Sequence, residues 1–115
     1  MPTFYFTRKF VESVREFIRD RPELARDVEE FIVRCGRLGL YIIKRNVRDP
    51  PGGRRVPDEE GESMGDTIPI YISDKEVEVV KELLAKIGFP KTVIGFYYLC
   101  AFNVLMGVWE LPPKI

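Results

Sequence analysis

The sequence predicts a mainly α-helical protein with a short two-stranded antiparallel ribbon, arranged as strand–helix–helix twice along the chain. An internal repeat carries this prediction, because residues 4–18 align without gaps on residues 70–84. At 45% hydrophobic content, the 115 residues are too apolar to be disordered and suffice for one ordinary domain. A unit of about 40 residues cannot bury its own apolar face, so we expect the two copies to form one intertwined domain.

The first copy, residues 1–47, opens with an alternating strand that has one apolar face. Thr7 is a predicted N-cap, since its hydroxyl can accept from a free amide of the following helix. That helix is predicted over about 8–20, and a second helix is predicted to begin near Pro22. The predicted inward strand residues are Phe4 and Phe6, and the outward ones are Thr3, Tyr5 and Thr7.

A linker is predicted over residues 48–66, because this stretch holds three prolines and four glycines among many charged residues. Its composition favours a solvated loop with no core of its own. Arg54 and Arg55 form its basic part and are the candidates for an arm that touches phosphate.

The second copy, residues 67–110, repeats the pattern with Ile68, Ile70 and Ile72 predicted inward. Ser73 is the predicted N-cap of a helix over about 74–87. In the second half of each copy, Pro22 aligns with Pro90, and residues 38–41 align with residues 106–109. Residues 111–115 form a tail.

The run from Thr92 to Trp109 carries no charge over 18 residues, which is the lower limit for a membrane-spanning helix. The corresponding part of the first copy, residues 23–41, is strongly charged. We therefore expect the run to be a helix buried in a small intertwined core, with membrane association as the alternative.

The second copy resembles the ribbon-helix-helix family, on the evidence of the alternating strand 67–73, the capped acidic helix and the turn at 88–90. The first copy is similar to the same unit, so about 85 of the 115 residues share the resemblance. The resemblance implies a tandem, single-chain pseudo-dimer in which the two strands pair as an antiparallel ribbon and the helices intertwine beneath it.

The resemblance also implies a DNA-binding face. In that family the outward strand residues enter the major groove, and amides at the start of the second helix hold phosphates. The implied base-reading residues are Thr3, Tyr5, Thr7, Pro69, Tyr71 and Ser73. The implied phosphate contacts are Arg8, Lys9 and Lys75 beside the ribbon, with Lys91 and Thr92 at the second helix. The matching turn of the first copy begins Pro22-Glu23, and a glutamate there repels phosphate.

Composition excludes several chemistries. The chain has no histidine, which removes serine–histidine and cysteine–histidine catalysis and histidine-ligated metals. Two cysteines, Cys35 and Cys100, cannot form a four-cysteine zinc site, and we expect both to be small buried hydrophobes. No Gly-rich phosphate loop is visible. We expect no enzymatic activity, no cofactor and no metal.

The leading functional hypothesis is a small DNA-binding transcriptional regulator that uses the ribbon on double-stranded DNA. The alternative is a protein-interaction module, such as an antitoxin or a viral inhibitor, with the same core but no DNA binding. A protein partner or self-association through the helix within 92–109 belongs to that alternative. The N-terminus lacks the features of a signal peptide, so we expect a cytoplasmic protein.

Glutamine is absent and asparagine occurs only at Asn46 and Asn103, while Arg, Lys and Glu are plentiful. This pattern is typical of hyperthermophiles, so we expect a thermophilic, archaeal or archaeal-virus origin.

Overall fold

The fold is mainly helical, with four α-helices and one two-stranded antiparallel sheet in the computed structural model, which describes residues 3–46 and 66–114. The predicted combination of helices with a short antiparallel ribbon is confirmed. Arg54, Arg55 and the rest of the predicted linker up to residue 65 lie outside the described residues. The elements are β1 (Thr3–Thr7), α1 (Arg8–Arg19), α2 (Val28–Asn46), β2 (Thr67–Tyr71), α3 (Asp74–Ile87) and α4 (Val93–Leu105).

The strands β1 and β2 pair antiparallel, with Phe4 opposite Ile70 and Phe6 opposite Ile68. Successive side chains point to opposite faces, so one face of this ribbon lies on the core. Phe4 and Phe6 are fully buried there, together with Ile70 and with Ile72 just beyond β2. Ile68, also predicted inward, is half-buried because it lies near the start of β2.

Helices α1 and α3 begin directly after the strands at the predicted caps. The Phe10 amide donates to Thr7 Oγ1 at 3.3 Å, and the Glu76 amide donates to Ser73 Oγ at 3.3 Å. Each hydroxyl satisfies one amide of a first helical turn that has no partner within the helix. Helix α3 ends at Gly88, whose φ of +76° is a conformation that glycine adopts without strain.

Helix α2 begins later than predicted, at Val28 rather than near Pro22, whereas α4 begins at Val93, near Pro90 as predicted. Asp27 caps α2, because its Oδ1 accepts from the Glu30 amide at 2.9 Å. Thr92 caps α4 through an equivalent bond from the Gly95 amide at 3.0 Å. Each helix therefore begins where a side chain can accept a hydrogen bond from a free amide of the first turn. A proline is compatible with the first turn of a helix but does not fix where the helix begins.

The predicted alignment of residues 38–41 with residues 106–109 needs correction, because the helix caps that correspond are Asp27 and Thr92. Residues 38–41 lie inside α2, whereas residues 106–109 follow the end of α4, so that pairing was wrong. With the caps aligned, the buried positions of the two helices coincide. The coinciding buried pairs are Val28 and Val93, Phe31 and Phe96, Ile32 and Tyr97, Cys35 and Cys100, and Gly36 and Ala101.

The core centres on the crossing of α2 and α4, where two glycines of α2 allow a close approach. A Cβ at Gly36 would lie 2.3 Å from the Tyr97 ring, and one at Gly39 would lie 2.3 Å from Cys100 Sγ. Cys35 and Cys100 are both buried free thiols, as expected, and burial raises the pKa of Cys35 to about 12.

The segment after α4 returns to the first half of the chain. Leu111 is buried in the core, and the Lys114 amide donates to the Glu23 carbonyl at 2.7 Å. Lys114 Nζ also lies 2.8 Å from Glu30 Oε1, and Arg34 Nη2 donates to the Pro112 carbonyl at 2.7 Å. Residues 111–114 thus lie along the first turns of α2. None of the described helices has both the length and the apolar content that crossing a membrane requires.

Candidate nucleic-acid interface

The outer face of the ribbon brings together five of the six predicted base-reading residues. Thr7 and Pro69 are exposed on this face, whereas Thr3, Tyr5 and Tyr71 are half-buried. Sequence reasoning did not include Thr67 in the site, although strand alternation places it outward. The outward pairs across the ribbon are Thr3–Tyr71, Tyr5–Pro69 and Thr7–Thr67.

Two of the predicted hydroxyls have structural tasks. Ser73 lies beyond the end of β2, and its oxygen caps α3. Thr7 caps α1, and its amide donates to the Tyr98 hydroxyl of α4 at 2.9 Å. A capping hydroxyl uses its oxygen as an acceptor, so its hydrogen is left to donate to another group.

Three predicted phosphate contacts, Arg8, Lys9 and Lys75, are exposed in the first turns of α1 and α3. A cation there opposes the helix dipole, whose amino end is positive, so these residues do not serve helix stability. Arg8 Nε lies 3.1 Å from Asp66 Oδ1 in a pair whose two side chains are exposed. An exposed pair of this kind is weak, which leaves the Arg8 guanidinium able to bind phosphate instead.

The starts of α2 and α4 differ in charge. Lys91 is exposed beside the Thr92 cap, so the amino end of α4 suits an anion. Glu23 lies in the loop and not at the start of α2, but Asp27, Glu29 and Glu30 stand there and repel phosphate equally. The side-chain hydrogen bond from Lys114 and the backbone hydrogen bond from Arg26 lower the pKa of Glu30, so this carboxylate stays ionised.

An open groove of about 370 Å³ lies at the start of α2, where cations and carboxylates alternate. Much of this charge is already paired. Lys114 binds Glu30, and Arg37 binds Glu76 through Nε at 2.9 Å and Nη2 at 2.6 Å. Sequence reasoning missed both pairs because each joins residues far apart in the chain. The described residues contain no cluster of three His, Cys, Asp or Glu side chains that could hold a metal ion.

Helix α4 has a second surface of interest, because its burial is one-sided. Six of its residues face the core, but Phe102 is exposed, as are Met106 at the C-cap and Val108 beyond it. The expectation of burial for the uncharged run is therefore confirmed on the inner face of α4 and wrong on its outer face. Comparisons with protein-family models, curated proteins and solved structures find no match to this chain.

Proposed function

We propose that this protein is a small DNA-binding transcriptional regulator, without catalytic activity, whose antiparallel ribbon enters the major groove. The ribbon itself carries the proposal. Its inner face, with Phe4 and Ile70, is buried, while its outer face presents hydroxyl and aromatic side chains that are exposed or half-buried. A two-stranded ribbon has the dimensions of a major-groove reader.

We also propose that the chain is a tandem ribbon-helix-helix protein, and the pairing of the strands supports this. Phe4 and Ile70 are equivalent in the internal repeat and lie opposite each other in the ribbon. An approximate two-fold axis through this pair would exchange Tyr5 with Tyr71. The two pairs of matching helix caps and the coincident buried positions of α2 and α4 support the same axis.

The charges around the ribbon support phosphate binding. Lys9 and Lys75 occupy the second position of α1 and of α3, so the proposed axis relates one to the other. Because these lysines oppose the helix dipoles, a bound phosphate would relieve an unfavourable interaction as well as add a favourable one. Lys91 and Thr92 add a third contact at the start of α4.

The chemistry of the ribbon limits what it can read. Its outward residues include no Arg, Lys, Asn or Gln, the side chains that contact guanine or adenine through two hydrogen bonds. Tyr5 and Tyr71 can instead donate a single hydrogen bond and offer a ring. We therefore propose modest sequence preference on top of electrostatic affinity, in a cytoplasmic protein of thermophilic origin.

A salt titration of binding to random duplex DNA tests the proposal. The double variant Lys9→Ala, Lys75→Ala should weaken binding to all sequences and lower the slope of log affinity against log salt by about two units. The matched control is Lys44→Ala, an exposed lysine in the last turn of α2, which should leave the slope unchanged. Tyr5→Ala with Tyr71→Ala should cost on the order of 1–3 kcal/mol at a preferred site and little on random DNA.

The second candidate is a protein-interaction module, such as an antitoxin or a viral inhibitor, and the exposed apolar residues of α4 favour it. A well-folded sample that binds no duplex at low salt would support this candidate and contradict the first. Affinity that persists unchanged in the double tyrosine variant would show that the ribbon is not the DNA-binding face.

A further inference from the structure

When the caps Asp27 and Thr92 are aligned, the outer faces of α2 and α4 differ in charge at four equivalent positions. The two helices cross at the centre of the core, and their inner positions are buried at equivalent places in both. Their outer positions carry different side chains. The face of α2 is also partly covered, since residues 111–114 lie along it. Glu29, Glu30, Arg34 and Arg37 of α2 stand where α4 has Ile94, Gly95, Leu99 and Phe102.

The contrast extends to the neighbouring helix. In one half of the molecule Glu76 of α3 binds Arg37 of α2. The equivalent contact in the other half is apolar, since the Phe10 ring of α1 packs edge-on against the Phe102 ring with centroids 5.3 Å apart. An ion pair suits a surface in water, whereas an aromatic pair exposes apolar area there.

The outward apolar residues of α4 and its C-cap form a continuous stripe, because Tyr98, Phe102 and the C-cap residue Met106 follow one another at intervals of four. Phe102 is 45% exposed and Met106 is 75% exposed. The Tyr98 ring stacks on Phe102 at a centroid distance of 5.9 Å and packs against Phe10 at 4.7 Å. The aromatic part of the stripe is thus held in place before any partner arrives, which lowers the entropic cost of binding.

We propose that this stripe, the α4 face, is the contact between two copies of the chain, with α4 packed on α4 about a two-fold axis. Charge favours this occupant among the helix faces of the molecule. The outer faces of the other helices carry exposed charged residues, including Glu12 and Glu16 in α1 and Glu78 and Glu82 in α3. Covering any of them with apolar side chains would take charged groups out of water, which is costly.

Packing α4 on α4 places no charged side chain of either helix in the contact, since α4 contains no acidic or basic residue. A two-fold contact uses the same patch on both copies, so one self-complementary stripe is sufficient. Helix α4 is 13 residues long, which gives the contact a length of about 20 Å. Met106 supplies a flexible side chain that can fill the gaps of such a surface.

Sedimentation equilibrium over a wide concentration range tests this proposal. The wild type should reach twice the 13.4 kDa mass of the chain. Phe102→Arg, which copies the equivalent Arg37 of α2, and Met106→Lys should each raise the dimer dissociation constant by about tenfold or more. The matched control is Tyr41→Lys, because Tyr41 is 59% exposed at the α2 position equivalent to Met106. It should dimerise like the wild type.

Met106→Cys provides a second readout, because Cys35 and Cys100 are buried and only the new thiol is exposed. A short bis-maleimide cross-linker should give a covalent dimer for Met106→Cys and not for Tyr41→Cys, whichever way the two helices run. The proposal is overturned if the wild type stays monomeric into the high micromolar range, or if Met106→Lys, folded by circular dichroism, dimerises as tightly as the wild type. A monomer that instead floats with phosphatidylcholine–phosphatidylglycerol vesicles would overturn it in favour of a lipid surface.

Discussion

Single residues set how closely α2 and α4 approach. Gly36 lies against the edge of the Tyr97 ring, and that ring is almost fully buried. The Tyr97 hydroxyl is also buried and has no hydrogen-bond partner among the described residues. Burial raises the pKa of Tyr97 well above its usual value, so the hydroxyl stays protonated. Burying this hydroxyl without a hydrogen bond lowers the free energy of unfolding, and the close packing of the ring offsets that loss.

We predict that Gly36→Ala lowers the free energy of unfolding, although alanine is the better helix former by about 1 kcal/mol. The new methyl would lie 2.3 Å from the rigid Tyr97 ring, and overpacking of this kind costs about 1–3 kcal/mol. Chemical denaturation followed by circular dichroism measures the change. Adding Tyr97→Leu should recover part of the loss, and a gain in stability for Gly36→Ala alone would contradict the prediction.

At the scale of elements, the proposed DNA-binding face of the ribbon and the face that contributes to stability lie on opposite sides. Its inner face is fixed by Phe4 and Phe6 in the core, so the outer face can vary without unfolding the sheet. Successive outward pairs, Thr3–Tyr71 and Tyr5–Pro69, are about 6.8 Å apart along the strands, or about two base-pair steps. The two pairs can therefore face base steps on either side of the proposed axis.

We predict, on the proposed DNA-binding function, that the ribbon senses thymine methyl groups, the apolar feature of the major groove. Replacing thymine by uracil in an A·T-rich duplex should weaken binding by about 0.8 kcal/mol, or about fourfold, for each methyl group that the ribbon would otherwise cover. Fluorescence anisotropy with matched duplexes measures this. The Tyr5→Ala, Tyr71→Ala variant should bind both duplexes alike, whereas equal wild-type affinity for the two would refute methyl recognition.

At the scale of the whole molecule, residues 111–114 pack against the first half of the chain through contacts between residues about 80–90 positions apart in sequence. Lys114 binds both the Glu23 carbonyl and the Glu30 carboxylate, while Leu111 enters the core. The Arg34 guanidinium donates to the carbonyls of Leu24 and Pro112 and so joins this segment to the loop before α2. These contacts tie the two halves together at a point far from the ribbon in sequence.

We predict that acid loosens this attachment. The pKa of Glu30 is lowered in the folded protein, chiefly by the hydrogen bond from Lys114, so its contribution to stability is present above the ordinary value of 4.5. That contribution is lost as the pH falls through the lowered pKa. The protection factor of the Lys114 amide, which is its intrinsic exchange rate divided by the rate that NMR measures at each pH, should fall in that range. Glu30→Gln should remove the pH dependence, and an unchanged dependence in this variant would assign it to another group.

Local chemistry was sufficient to predict much of the fold. The alternation of residues 3–7 and 67–71 and the capping hydroxyls of Thr7 and Ser73 were read correctly, because both depend on residues close together in sequence. The start of α2 was misplaced because Asp27 competed with Pro22 as a helix signal, and only the hydrogen bond to Asp27 decided between them. For the candidate site, strand periodicity predicted the outward face but did not distinguish a capping hydroxyl from a free one.

Short-range patterns in the amino-acid sequence were enough to establish the mainly helical class, the ribbon and the residues on its outer face, since periodicity and capping act within a few residues. Tertiary packing was needed to establish that Arg37 binds Glu76, that residues 111–114 cover α2 and that the outer face of α4 stays exposed. Contacts between distant residues depend on which faces the folded chain brings together. An uncharged run such as 92–109 therefore predicts a helix with an apolar inner face, but the packing of its neighbours determines how much of its other side meets water.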